Sequence, residues 1–169
     1  VPGVTAAVAS AAYAGIPVTH RAYGSSLTLV TGYPWAERNV PSPDWAALAR
    51  MDTEVVYMAA RRLAFISAQL IAAGKAPDMP GALIRGPSRP AQRSGVTRLG
   101  DAAAGAAAEG YGAPLSVIIG EVVRLRARIG WYEKLPLYGV DVAITRGAGQ
   151  RGPVADGVRA LGGEIIPLP

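Results

Sequence analysis

The sequence predicts an α/β fold in which short strands alternate with helices. Glycines recur along the chain at intervals that leave room for one strand or one helix between them. Residues 26–31 and 115–123 are apolar runs rich in β-branched side chains, and the second run is continuous enough for a buried central strand. Residues 61–73 instead carry Leu and Ile at helical spacing, and Gly74 follows as the expected helix stop.

The other elements follow from caps and composition. Residues 5–14 are alanine-rich, and the Thr5 hydroxyl is placed to cap a helix there. Ser42 followed by Pro43 predicts the N-cap and first turn of a short helix over 45–50. The remaining predictions, in chain order, are a loop over 33–43, strands over 53–58, 82–84 and 92–99, a helix over 101–109, a linker over 124–139, and a final strand, turn, helix and strand over 140–145, 147–152, 154–161 and 164–167.

The composition excludes several classes of protein. Half of the 169 residues are hydrophobic and 17% are charged, so the chain can bury a core and intrinsic disorder is excluded as its main state. No apolar run approaches the ~18 residues that a membrane span needs. The absence of cysteine excludes disulfides, thiolate nucleophiles and cysteine-built zinc sites, and a cytoplasmic location is the default expectation.

The charge balance favours a small polyanionic ligand. Seventeen Lys and Arg against 12 Asp and Glu give a net charge of +5, but the arginines are scattered and only 7% of the residues are aromatic. A nucleic-acid surface would concentrate both kinds of side chain. We therefore expect a polyanionic small molecule and no nucleic-acid partner.

Few residues offer catalytic chemistry by themselves. His20 is the only histidine and no G-x-S-x-G motif is present, so neither a hydrolase triad nor a metal site is favoured. The favoured interpretation of His20 is a partly buried, hydrogen-bonded loop residue. Arg21 can grip a carboxylate in a bidentate manner or can simply be solvated. The glycines at 147, 149 and 152 match a phosphate-loop spacing, but we interpret them as a strand-to-helix turn.

Several motifs together carry a resemblance to a known family. They are Val1-Pro2-Gly3-Val4-Thr5-Ala6, Tyr13-Ala14-Gly15-Ile16-Pro17-Val18-Thr19-His20-Arg21, Leu29-Val30-Thr31-Gly32, Asp44-Trp45, Val56-Tyr57-Met58, Gln92-Arg93 and Gly120-Glu121-Val122-Val123. In this order, over residues 1 to about 132, the chain resembles the uroporphyrinogen-III C-methyltransferases of the tetrapyrrole methylase family. The motifs around 135–139, 142–146 and 159–166 resemble the start of a uroporphyrinogen-III synthase.

The resemblance implies a fold, a reaction and a cofactor. The fold is the C-terminal lobe of a tetrapyrrole methylase, with a mixed, roughly five-stranded sheet flanked by helices, followed by a short β-α-β extension. The reaction is methyl transfer from S-adenosylmethionine to C2 and C7 of uroporphyrinogen III, which leaves S-adenosylhomocysteine and gives precorrin-2 for siroheme or cobalamin. The eight carboxylates of this substrate agree with the basic balance.

The resemblance also implies site residues. Thr5, Ala6, Met58 and the strand end at Pro87 are implied cofactor contacts, whereas Arg21, with His20, is implied for substrate carboxylate binding or proton handling. No metal is implied. The sequence departs from relatives in having Ala59 after the methionine and Pro87-Ser88 in place of a Gly-Thr pair. The added methyl group and the missing backbone N–H put cofactor contacts there in question.

The resemblance divides the chain into two parts. Residues 1–132 are the expected C-terminal lobe, and residues 133–169 are the expected linker and first β-α-β of a synthase-like domain. Because Val1 opens directly into the lobe, we expect a fragment whose N-terminal lobe is missing and which is inactive alone. Relatives pair as homodimers. Two alternatives stay open: a methylase acting on a later precorrin, and a non-catalytic lobe for dimerisation or channelling in a fused synthase.

Overall fold

The computed structural model describes residues 3–32, 41–145 and 152–168. Its α-helices are α1 (Ala6–Ala14), α2 (Trp45–Ala49), α3 (Leu63–Ala72), α4 (Ala102–Ala108), α5 (Arg126–Ile129) and α6 (Gly152–Ala160). Its strands are β1 (Leu27–Thr31), β2 (Thr53–Tyr57), β3 (Pro80–Arg85), β4 (Arg93–Arg98), β5 (Leu115–Ile119), β6 (Asp141–Ile144) and β7 (Glu164–Pro167). Short 3-10 helices cover Ala59–Arg61, Leu99–Asp101, Glu121–Leu125 and Tyr132–Lys134. Most of the predicted loop over 33–43 and of the glycine-rich turn lies outside these ranges.

The main sheet has five strands in the order β1-β2-β5-β3-β4. Strands β1 and β2 are parallel, whereas β5 runs antiparallel to both of its neighbours, β2 and β3. Strand β4 forms an antiparallel edge on β3. The prediction of a mixed, five-stranded sheet is therefore confirmed. Strands β6 and β7 precede and follow α6 in the sequence and pair with each other in a separate parallel sheet. This confirms the predicted β-α-β extension.

Alternation along the strands sends apolar side chains to both faces of the sheet. Val56 and Val117 pack on the face covered by α3 and α4, where Ile66 and Leu70 are fully buried. The neighbouring Val55 packs on the opposite face. There α1 contributes only small side chains, Ala7, Ala11 and Ala14, which let the helix approach the sheet closely. The sheet is thus buried on both sides over its central strands.

Two predicted boundaries are wrong for local reasons. The strand predicted over 115–123 ends at Ile119, because Gly120 adopts a φ of 146° and the chain turns into a 3-10 helix. The N-cap of α2 is Asp44 instead of Ser42: the Asp44 carboxylate accepts from the Ala47 amide at 2.9 Å. Ser42 accepts from the Trp45 indole at 3.0 Å.

The segment predicted as a linker over 124–139 is largely helical and packs on the lobe. The Trp131 indole donates to the carbonyl of Ala12 at 2.9 Å. Tyr132 is buried, and its ring lies edge-on to Tyr13 with centroids 4.9 Å apart. These contacts hold the segment against the C-terminal end of α1.

An ion pair is buried at the start of β2. Glu54 and Lys75 have side chains that are 1% and 3% exposed, and the ammonium donates both to the Glu54 carboxylate and to the Met51 carbonyl, the latter at 2.8 Å. The second carboxylate oxygen of Glu54 is buried without a hydrogen-bond partner. Burial raises the pKa of Glu54 to about 7, although the ammonium opposes that change.

Breaking this pair should cost more stability than replacing it. At pH 8 we expect Glu54→Leu or Lys75→Met alone to lower the free energy of unfolding by about 3–5 kcal/mol, because each leaves a buried charge unpaired. The double variant should lose much less, since both charges are gone. Chemical denaturation of the four proteins measures this, and a double variant as unstable as the sum of the singles would contradict it.

The same pair should give stability a defined pH dependence. The folded-state pKa of Glu54, about 7, lies above its ordinary value of 4.5, so the folded protein holds the proton more tightly than the unfolded chain. The stabilisation that this proton gives the folded state is therefore complete below pH 4.5, is lost as the pH rises to about 7, and does not change further above that pH. We expect the Glu54→Leu, Lys75→Met double variant to lack this decline in a pH series of denaturation curves; an identical slope in both proteins would contradict the assignment.

Candidate functional site

Two unusual backbone turns lie at the same end of the sheet. Strands β2 and β3 run in the same direction on either side of β5, and Val56 and Leu83 both pair with Val117. The chain therefore leaves β2 and β3 at the same level, which we call the carboxyl end of the sheet. Neighbouring strands lie about 4.8 Å apart, so the two exits are about 10 Å apart.

Each exit contains a non-glycine residue in a left-handed conformation. Met58 has φ 51° and ψ 34° directly after β2, and Ser88 has φ 65° three residues after β3. Among the described residues these are the only non-glycine residues with positive φ. Such conformations are unfavourable for L-amino acids and cluster at functional sites. The carboxyl end of the sheet is therefore the strongest candidate site.

The Tyr57 hydroxyl holds the start of α1 at this end. It hydrogen-bonds the Thr5 hydroxyl and accepts from the Ala7 amide at 3.0 Å. Thr5 is the N-cap residue by position, but its side chain makes no cap bond to the helix, so the predicted capping role is wrong. The sequence pattern assigns Tyr57 no role, and its only signal is its place in the Val56-Tyr57-Met58 motif.

Within the described part of the structure, the Met58 side chain reaches the surface. It is 57% exposed, and Val4, ahead of α1, is 78% exposed. Gly32 lies against this turn so closely that a Cβ there would come within 2.9 Å of the carbonyls of Tyr57 and Met58. Ala59 is fully buried in the core cluster under α3, so its methyl group packs inward.

In the turn after β3, the backbone N–H of Ser88 points into the protein. Pro87 has no N–H. The Ser88 amide donates to the side-chain oxygen of Gln92 at 3.0 Å. At these two positions the turn therefore has no backbone N–H left to donate to a ligand.

His20 and Arg21 lie at the opposite end of the sheet. Their tight turn is closed by a bridge between His20 and Gly24, and Nδ1 of His20 accepts from the Ala22 amide at 3.2 Å. Gly24 packs on Asp52, one residue before β2 begins. The structure therefore brings Thr5, Ala6, Met58 and Pro87 to one end of the sheet and does not bring Arg21 or His20 to them.

The turn at 20–24 is held by Asp52. The Asp52 carboxylate accepts from the amides of Ser25 and Ser26, both at 2.9 Å, and from the Ser26 hydroxyl at 2.8 Å. The hydroxyl bond, followed by the two amide bonds, lowers the pKa of Asp52. His20 is thus a hydrogen-bonded loop residue, and Arg21 is exposed.

Other kinds of site find no support in the described ranges. Residues 3–32, 41–145 and 152–168 contain no group of three or more His, Asp or Glu placed to hold a metal. No helix in these ranges is long and apolar enough to span a bilayer. A shallow concavity of about 260 Å³ lies between Pro80, Arg98 and Arg124, at the far end of the sheet from Met58.

Known proteins with similar sequences include uroporphyrinogen-III C-methyltransferases. Residues 1–103 match the family Tetrapyrrole (Corrin/Porphyrin) Methylases. The chain is 45% identical over 130 residues to the uroporphyrinogen-III C-methyltransferase of Synechocystis, covering 76% of this chain and 49% of that protein. It is 34% identical over 170 residues to the enzyme of that name in Bacillus subtilis, covering 100% of this chain and 35% of that protein.

A solved structure shares the fold. Uroporphyrin-III C-methyl transferase from Thermus thermophilus, complexed with S-adenyl homocysteine, superposes with a TM-score of 0.60 at 34% identity over 74% of this chain and 53% of that one. The chain thus spans between about a third and a half of the length of these relatives. Because the family match covers more than half of its residues, the chain belongs to the tetrapyrrole (corrin/porphyrin) methylases.

Proposed function

We propose that this chain is the C-terminal lobe of an S-adenosylmethionine-dependent uroporphyrinogen-III C-methyltransferase, which methylates C2 and C7 to form precorrin-2. The observation that carries the proposal is the exposed, left-handed Met58 turn beside the start of α1. It lies in a chain whose relatives bear this activity in their names.

The carboxyl end of the sheet fits this cofactor. The Met58 thioether and the exposed Val4 offer apolar surface for an adenosyl group. Thr5 and Ala6 lie at the start of a helix, whose N-terminal end favours a negative charge such as the carboxylate of the cofactor. Pro87 offers the apolar surface of its ring. We propose Thr5, Ala6, Met58 and Pro87 as the cofactor contacts of this lobe.

The role of these residues is to orient and to exclude water. When bound, S-adenosylmethionine supplies an electrophilic methyl group, which a pyrrole carbon takes as the carbon–sulfur bond breaks and sulfur keeps the electron pair. In-line transfer depends on alignment of three atoms, so positioning and desolvation account for most of the catalysis. A fixed turn at Met58, held by Tyr57 and packed on Gly32, suits that role.

Arg21 and His20 are proposed only for a peripheral carboxylate of the substrate. Strand β2 has five residues and spans about 16 Å, which separates their turn from Met58. A tetrapyrrole with eight carboxylates is large enough for a side group to lie away from the reacting carbon. The net charge of +5 supports a polyanionic substrate.

The proposal includes a preceding lobe that completes the site. The relatives are longer than this chain, and the apolar side chains of Val4, Val8 and Met58 at the carboxyl end are exposed by 78%, 39% and 57%. A second lobe that covers them would enclose the cofactor. Homodimer formation and a cytoplasmic location are part of the same proposal.

We also propose that residues 133–169 are a linker and the start of a synthase-like domain. The parallel β6-α6-β7 unit, whose two strands form a sheet separate from the main one, supports this division. The lobe and the extension are joined by contacts across the boundary: Glu133 accepts from Gln92, and Tyr138 donates to the Gln92 carbonyl.

Calorimetric titration with S-adenosylhomocysteine tests the proposed function. We expect a protein carrying both lobes to bind it and this chain alone to bind at least about 100-fold more weakly, because half of the contacts are missing. Met58→Ala in the two-lobe protein should weaken binding about tenfold.

The matched control is Val96→Ala on β4, which also removes an exposed apolar side chain, 61% exposed, away from the carboxyl end. It should bind like the wild type. Absence of binding by the two-lobe protein would overturn the methyltransferase proposal and favour a non-catalytic lobe for dimerisation or channelling.

Tyr57→Phe should loosen the start of α1. Loss of the hydroxyl removes the bonds to Thr5 and to the Ala7 amide, so we expect a loss of about 1 kcal/mol in the free energy of unfolding and a several-fold weaker affinity for S-adenosylhomocysteine. Tyr23→Phe, on the turn at the opposite end, is the control and should change neither quantity. Unchanged affinity in Tyr57→Phe would show that α1 does not depend on this contact for its place in the site.

A further inference from the structure

We propose that Gln92 is a positioning residue, which sets the conformation of the turn after β3 and thereby the cofactor-facing surface at Pro87. This inference rests on the proposed function for its ligand but not for its structural part. Gln92 is fully buried although it is polar, and it lies outside the candidate contacts named above.

Both ends of the Gln92 side-chain amide form hydrogen bonds. Its oxygen accepts from the Ser88 amide at 3.0 Å, and its nitrogen donates to the Tyr13 carbonyl at 3.2 Å and to the Glu133 carboxylate at 3.1 Å. The Ser88 N–H can only donate and the Tyr13 carbonyl can only accept, so the orientation of the amide is determined by its partners.

These bonds join the turn to two rigid parts of the lobe. Tyr13 belongs to α1, the helix whose other end carries Thr5 and Ala6. Glu133 also accepts from Ser94 and forms an ion pair with Arg126 at 2.7 Å. The backbone of Gln92 closes the turn itself, because its amide donates to the Arg89 carbonyl at 2.8 Å.

The turn needs such an anchor because of its backbone. Gly86 and Ser88 both have positive φ, 57° and 65°, and Ser88 adopts it against the preference of its side chain. Pro87 between them has no amide with which to stabilise the turn. The bond from Ser88 to Gln92 is the side-chain contact that holds this conformation, and loss of it should let the turn relax.

A small residue at the other end of the same cluster provides a matched control. Ser94 bonds the Glu133 carboxylate and accepts from Arg126, but it does not contact the turn. Ser94→Ala therefore disturbs the polar cluster and leaves the Ser88 bond in place. Gln92→Met removes the amide with little change in volume.

Two measurements on these variants test the inference. Amide exchange of Ser88 by NMR, on this chain, should accelerate about tenfold or more in Gln92→Met and stay within about twofold of the wild type in Ser94→Ala. The dissociation constant for S-adenosylhomocysteine, in the two-lobe protein, should rise about tenfold in Gln92→Met and be unchanged in Ser94→Ala. If Gln92→Met does not fold, Gln92→Asn, whose shorter amide cannot reach both partners, replaces it.

The outcomes separate the two proposals. Unchanged Ser88 exchange in Gln92→Met, or equal effects in Gln92→Met and Ser94→Ala, would overturn the positioning role. Faster Ser88 exchange in Gln92→Met, with an unchanged affinity for S-adenosylhomocysteine, would overturn the proposed effect of Gln92 on cofactor binding. If the wild-type two-lobe protein does not bind S-adenosylhomocysteine, the proposed function fails, and the exchange experiment alone decides the structural part.

Discussion

The pairing of β2 and β3 with opposite sides of β5 places the two unusual backbone turns of this lobe at one end of the sheet. Because β5 is antiparallel to both of these strands, β2 and β3 run in the same direction and end at the same level. Their exits are the turns at Met58 and Ser88, where the backbone is left-handed without glycine. If β3 ran in the opposite direction to β2, its turn would lie at the other end of the sheet from Met58.

The rest of the lobe holds that surface in place. The small side chains of α1 bring the helix close to the sheet, and Tyr57 holds its first turn beside Met58. Gln92 ties the last turn of the same helix to the exit of β3. The helix is thus connected at both of its ends to the strand exits that carry the candidate contacts.

The sequence predicted the architecture well because hydrophobic periodicity and β-branched runs record burial directly. The separate strands, the helix after β2 and the strand-helix-strand order of the extension follow from such patterns, whereas the mixed, five-stranded sheet was implied by the family resemblance. The end of β5 was misplaced because residues 122 and 123 stay buried after Gly120 turns the chain, so composition alone does not mark the boundary. The N-cap of α2 was misassigned because Ser42 and Asp44 are both good caps and only geometry separates them.

The candidate site was predicted only in part, because local sequence patterns do not show which distant residues come into contact in the fold. Thr5 and Met58 came from motifs, but Tyr57, the residue that joins them, and Gln92 required the tertiary structure. Arg21 and His20 follow Thr5 closely in the sequence and nevertheless lie at the other end of the sheet, because the chain after α1, over residues 15–19, leads from the Tyr13–Gln92 contact to the turn beside Asp52.

The location of the cofactor surface can be tested directly by NMR titration of the labelled two-lobe protein with S-adenosylhomocysteine. We expect the largest amide shifts at the start of α1, at Met58 and at Ser88, with little change at residues 20–26. Shifts centred on the turn around His20 and on Asp52, with the Met58 and Ser88 amides unmoved, would contradict it.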